Sequence, residues 1–280
     1  MWFEVHTLAL NAVQAGCLAL PGAGVPRDLS RFRTRAWALV PPLSIAVVVG
    51  VIAVVPISAQ VLTWTALILV PIGCAIALAW AMRGARPWLA TLCAPLLAFA
   101  WMFQTDALGQ LAATALIAGS VIALGRLLAG GAPLPLLKAG VIAMAAVDAY
   151  LVFSNKLQAP NAVLIAAKPA AGVPRLQSAT FGGSYLGYGD LFAAAVVGGI
   201  LAVERLPQIG AAVALLVVAF CWNQLFVVYD VLPATIPPAV VLIGSELVRR
   251  RGRTRSRHRD RAGPAETDRL PPAAGPAPSV

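Results

Sequence analysis

Nine apolar runs follow one another along this chain, at roughly 5–22, 36–56, 60–81, 88–103, 109–128, 136–154, 186–204, 208–229 and 233–248. No other feature constrains the fold as strongly. A run of about 20 apolar residues crosses a bilayer as a helix, because hydrocarbon offers the backbone no partner outside the segment itself. Closed barrels meet the same demand, but their strands alternate apolar and polar residues, and these runs do not. With 60% hydrophobic and 11% charged residues, the chain lacks the polar surface of a soluble domain. The expected fold is an all-α polytopic membrane protein with about nine transmembrane helices. The first run is the weakest, interrupted by Asn11 and Gln14, and an interfacial helix is the alternative for it. The fourth and ninth are short, and Pro237 and Pro238 break the ninth.

The net charge of +10 is gathered largely at one end. Arg249, Arg250, Arg251, Arg253, Arg255, Arg257, Arg259 and Arg261 form a basic run, followed by a Pro/Ala-rich stretch from Ala262 to Val280 with the composition of disorder. Three parts result: an N-terminal bundle of about five spans at 1–135, a core of spans six to nine at 136–248, and a basic, disordered tail at 249–280. The tail suits an anionic lipid surface; a nucleic-acid partner is not expected.

Basic joints face the cytosol. Arg27, Arg31, Arg33 and Arg35 follow the first run, Arg83 and Arg86 the third, and Arg126 and Lys138 flank the joint after the fifth. The joints after runs two and four carry no basic residue, and the latter holds Asp106. The N-terminus is therefore expected outside and the C-terminus in the cytosol, in the plasma membrane if the source is prokaryotic. Lys156, Lys168 and Arg175 fall in the loop 155–185 that alternation puts outside, but the tail and three basic joints outweigh them.

Two acids lie inside apolar runs, Asp148 and Asp190. Charge in hydrocarbon costs a few kcal/mol per residue or more, so an intramembrane acid is a functional candidate. Counted from Lys138 at the start of one run, Asp148 lies roughly 15 Å in; counted from Glu204 at the end of the next, Asp190 lies roughly 21 Å in. The two reach one depth to within about a helical turn. Gly187 and Gly189 frame Tyr188 just before Asp190, permitting unusual backbone angles and close helix approach. Tyr188 either supports the site with its hydroxyl or packs. Two neighbouring carboxyls share one proton, so that one activates water while the other polarises a carbonyl. No basic partner is expected at their depth. Cys17, Cys74, Cys93 and Cys221 form no CxxC pair, and His6 and His258 sit at opposite ends, so no metal or other cofactor is expected. The N-terminus lacks the basic start of a cleavable signal peptide.

These residues resemble the GxGD intramembrane aspartyl proteases of the presenilin and signal peptide peptidase family. Asp148-Ala149-Tyr150-Leu151-Val152-Phe153 is similar to that family's D-x-F-x-V-F run, and Leu186-Gly187-Tyr188-Gly189-Asp190 to its L-G-x-G-D. Its late Pro-Ala-Leu element is approached by Pro233-Ala234-Thr235 or by Pro238-Ala239-Val240; the first leaves the longer span behind it. Val147 stands where the family has tyrosine, and neither Pro-Ala candidate ends in leucine. The resemblance covers roughly 138–248. It implies a presenilin-like helix arrangement, Asp148 and Asp190 as catalytic residues, and Gly187, Tyr188 and Gly189 as motif support. Pro233, Ala234, Thr235, Pro238 and Ala239 are the implied substrate-binding residues. The expected activity is that of an aspartic endopeptidase cleaving peptide bonds inside membrane helices. With the orientation above, the implied substrates are signal-peptide or type II helices with a cytosolic N-terminus.

Two rivals share parts of this pattern. Prepilin-peptidase-like enzymes also use a GxGD aspartate, and Pro160-Asn161 echoes their Pro-Asn; a proton-coupled transporter uses paired acids as a relay. The chain shows no internal repeat of the transporter kind. In the long loop, Ala162-Val163-Leu164-Ile165-Ala166 reads as a short strand near the membrane surface or as an apolar loop dipping into it. Pro233-Ala234-Thr235 is expected to expose unpaired carbonyls to substrate.

Overall fold

Each apolar run is helical, closing its backbone hydrogen bonds within itself. The computed structural model describes residues 2–24, 34–55, 57–167, 172–229 and 231–261. Arg27, Arg31, Arg33, Lys168, Pro169 and the Pro/Ala-rich end at 262–280 lie outside the described residues. The helices are α1 (Trp2–Ala19), α2 (Val40–Val54, entered by a 3-10 turn at Arg35–Leu39), α3 (Ser58–Ile76, prolonged by a π turn at Ala77–Ala81) and α4 (Cys93–Met102, after a 3-10 stretch at Pro87–Leu92). Then come α5 (Ala107–Gly131), α6 (Leu134–Phe153), α7 (Gln158–Ala166), α8 (Tyr188–Val203), α9 (Gln208–Asn223) and α10 (Ile236–Arg261). Among the described residues, five stretches are long and apolar enough to cross a membrane: Arg35–Val54, Ser58–Ala81, Ala107–Gly131, Leu134–Phe153 and Gln208–Val227. Val5–Ala19, Pro87–Met102 and Tyr188–Val203 are shorter apolar helices. The chain is a helical membrane protein.

Helix α8 is the centre of the bundle. Every residue from Leu191 to Ala202 is buried, as befits a helix that is apolar all round. It packs against α5, α1, α6 and α9. Glycine makes these approaches possible. A Cβ on Gly199 would stand 2.6 Å from the Gly125 carbonyl oxygen. One on Gly198 would collide with the Leu18 carbonyl, and one on Gly125 with the Ala195 carbonyl. Backbones in contact are the usual glue between membrane helices. Gly198→Val is therefore expected to destabilise the fold by at least about 1–3 kcal/mol, the cost of overpacking a tight core. Gly210→Val, on α9 with open space around its Cβ position, is expected to be near neutral. Thermal unfolding in detergent measures both.

Helix α1 is a member of this bundle. It packs on α8 and α9, and Leu10, Gln14, Cys17 and Leu18 are buried.

The structure corrects four sequence-based expectations. Ala162–Ala166 is helical, as the C-terminal half of α7, because Pro160 falls in that helix's first turn, where a missing N–H is harmless. The strands lie further on: β1 (Ser178–Phe181) pairs antiparallel with β2 (Ser184–Gly187), adding a hairpin to an otherwise all-α chain. Its two-residue turn, Gly182 and Gly183, has φ of 52° and 93°, the left-handed geometry that favours glycine in a tight hairpin. Pro237 and Pro238 do not break the last helix; they lie in its first turn, which prolines tolerate. The basic run also differs from the expected disorder of 249–280, because α10 continues through Arg261. Glu246 supports it with ion pairs to Arg249 (2.5 Å) and Arg250 (3.4 Å), one turn on, and arginine is a good helix former. The described residues up to Leu242 form one compact unit, and those from Ile243 on belong to a second.

Candidate functional site

An ion pair levels the two helices that carry the acids. Lys138 Nζ, in the first turns of α6, lies 2.7 and 2.9 Å from the two carboxylate oxygens of Glu204, which caps the end of α8. The helices run antiparallel from this shared level. Asp148 is ten residues along α6 and Asp190 is fourteen back along α8, a difference of about 6 Å at the helical rise. Both side chains line one cavity of about 1100 Å³.

The two acids are held differently. Asp148 is 6% exposed, and its Oδ2 accepts a hydrogen bond from the hydroxyl of Thr235 at 2.6 Å. Thr235 is 1% exposed and lies just before α10. Asp190 is partly exposed to the cavity and occupies the third position of α8. Its Oδ2 accepts the N–H of Gly187, the residue that caps the helix, at 3.0 Å. This is the carboxyl half of a capping box at the first turn of the helix. Strand β2 runs directly into this cap, so hairpin, glycine and acid form one continuous piece of chain.

Gly187, Tyr188 and Gly189 line the cavity with Asp190. The Tyr188 hydroxyl is bound to Ser120 Oγ on α5 at 2.8 Å, which ties the cavity wall together. Of the two Pro-Ala elements, Pro233-Ala234-Thr235 reaches the acids. Pro238 and Ala239 are buried in the first turn of α10 and do not line the cavity.

The expectation that Pro233-Ala234-Thr235 exposes unpaired carbonyls is corrected. Pro233 O accepts Trp222 Nε1 at 3.2 Å and the Ile236 N–H at 3.4 Å. Ala234 O accepts Gln14 Nε2 at 3.1 Å, and Thr235 O accepts the Ala239 N–H at 3.4 Å. The bundle supplies the donors that proline removes.

Among the described residues no three His, Cys, Asp or Glu side chains gather as a metal-binding group.

The chain matches no protein family, no curated protein and no solved structure. What the site can do is read from its own geometry: two acids on separate helices in a large cavity walled by apolar helices.

Four contributing residues carried weak signals in the sequence. Gln14 stands as a polar break in an apolar run, the pattern that marks function in membranes as often as it marks a poor span. Thr235 is the residue at which the Pro-Ala element departs from its expected leucine, and it bonds Asp148. Lys138 and Glu204 sit at the ends of successive runs, where an ion pair is affordable.

Proposed function

We propose that this chain is an intramembrane aspartyl protease. One observation carries the reading: Asp148 and Asp190 come from different helices and line one cavity. Two close carboxyls hold a single proton between them. The ionised partner takes a proton from water, and the resulting hydroxide equivalent attacks the scissile carbonyl. The protonated partner donates to that carbonyl oxygen as negative charge develops on it. The first carboxyl then gives the proton it took from water to the amide nitrogen as the C–N bond breaks, and the second recovers its proton from the hydroxyl of the collapsing tetrahedral diol.

In this reading all nine apolar helices lie in the bilayer in a presenilin-like arrangement, with the N-terminus outside and the C-terminus in the cytosol. The substrates are single helices entering with a cytosolic N-terminus, such as signal-peptide remnants or type II anchors. A peptide bond in an intact helix is shielded, so the substrate unwinds locally before attack. The extended stretch needs backbone partners, and β2 has one edge not paired to β1, beside Asp190.

The test is direct. Purified protein in liposomes is incubated with a labelled transmembrane peptide, and products are read by mass spectrometry. Cleavage within the apolar stretch is expected, and substrates with helix-breaking residues near the cut are expected to react faster. Activity should trace a bell against pH, since only the singly protonated pair is competent; a flat profile with intact protein speaks against a carboxyl dyad. A C-terminal tag reached only from outside the cell overturns the topology and the substrate class with it.

A further inference from the structure

We propose that Gln14, on α1, is a positioning residue that fixes the two carboxyls relative to one another. The inference rests on the proteolytic reading of Asp148 and Asp190. Its basis is a single side-chain nitrogen. Gln14 Nε2 donates to the main-chain oxygen of Asp190 at 3.2 Å and to that of Ala234 at 3.1 Å. Those carbonyls belong to segments far apart in sequence. The first is in the opening turn of α8, in the very residue that carries one acid. The second precedes Thr235, whose hydroxyl holds Oδ2 of the other acid at 2.6 Å. One planar amide, with two hydrogens at a fixed angle, thus links the mounts of both carboxyls.

Three further facts favour positioning over mere satisfaction of a polar group. Gln14 is 1% exposed, so packing locks its rotamer. It lines the same cavity as the acids. Helix α1 also reaches the strand leading into Asp190, through a 3.0 Å bond between Thr7 Oγ1 and Ser184 Oγ. Helix α1 therefore contacts both parts of the run from β2 to α8, and the Pro-Ala segment as well. It acts as a template against which the site is assembled, although it lies more than a hundred residues upstream of either acid.

Positioning predicts a defined kinetic signature. Gln14 meets no reacting atom, so substrate binding survives its loss while the geometry of the dyad does not. Gln14→Met keeps length and volume but removes both donors. The expected result is a fall in kcat of about tenfold or more, with KM within about twofold, in protein that remains folded. Gln14→Asn keeps the amide but is one methylene too short to reach both carbonyls; it serves if the methionine variant misfolds, with the same direction expected.

A second measurement needs no substrate. Infrared spectra of protein carrying isotope-labelled aspartate report the carboxyl pair, assigned by the bands lost in Asp148→Asn and Asp190→Asn. The band of the pair is expected to shift in the Gln14 variant. Wild-type kcat with an unchanged band overturns the proposal, as does a kcat that falls only in proportion to the unfolded fraction. If the wild type cleaves nothing yet the band shifts, the positioning role stands and the proteolytic reading fails.

Discussion

Asp148→Asn and Asp190→Asn are each expected to lower cleavage of a transmembrane peptide by roughly 10²–10⁴-fold, the range supplied by a positioned acid or base. The fold should survive both changes, for a reason visible in the hydrogen bonds. Each carboxylate receives donors, from Thr235 to Asp148 and from Gly187 to Asp190, and an amide oxygen accepts the same bonds. What asparagine cannot do is exchange a proton. Thermal unfolding close to wild type, together with loss of product, separates chemistry from folding. Full activity in either variant rules out a two-carboxyl mechanism. The variants also distinguish the transporter alternative, in which both would abolish substrate-driven proton uptake and no variant, nor the wild type, would release a cut peptide.

Thr235→Val is expected to lower kcat by about 10–100-fold, the equivalent of losing a hydrogen bond to a charged group at about 1.5–3 kcal/mol. Valine keeps the branched shape and removes only the hydroxyl that reaches Asp148 Oδ2. Within the proposed mechanism that hydroxyl stabilises Asp148 as the ionised member of the pair, leaving Asp190 to carry the proton. Thr235→Ser keeps the donor and is expected to retain most activity. The split between kinetic constants decides between two roles for this residue. A drop in kcat with KM unchanged identifies support of Asp148. A rise in KM with kcat unchanged identifies the substrate docking that the Pro-Ala resemblance implies.

Much of the helical architecture was legible in the chain because bilayer physics leaves few choices. The run at 109–128 is found within α5, and that at 186–204 corresponds to α8 (Tyr188–Val203). Termini were less legible. Pro237 and Pro238 read as a break, yet a proline harms a helix only beyond its first turn, and whether a turn is the first depends on where the chain bends. The hairpin before Asp190 was missed although Gly182-Gly183 is a tight-turn signal, because its strands are four residues each and do not stand out in an apolar background.

The sequence by itself determined the helical membrane class and the two acids as candidates, since each follows from the cost of placing polar groups in hydrocarbon. It also allowed both acids to be set at similar depth, because helical rise converts residue number into distance. Only the tertiary structure decided which partners they meet. Thr235 reaches Asp148 and Pro238 does not; Tyr188 binds Ser120; Gln14 bridges two segments distant from it in sequence. Such contacts depend on how helices turn about their axes and how closely they approach, and those are settled by glycines such as Gly125, Gly198 and Gly199 at crossings that no local pattern specifies.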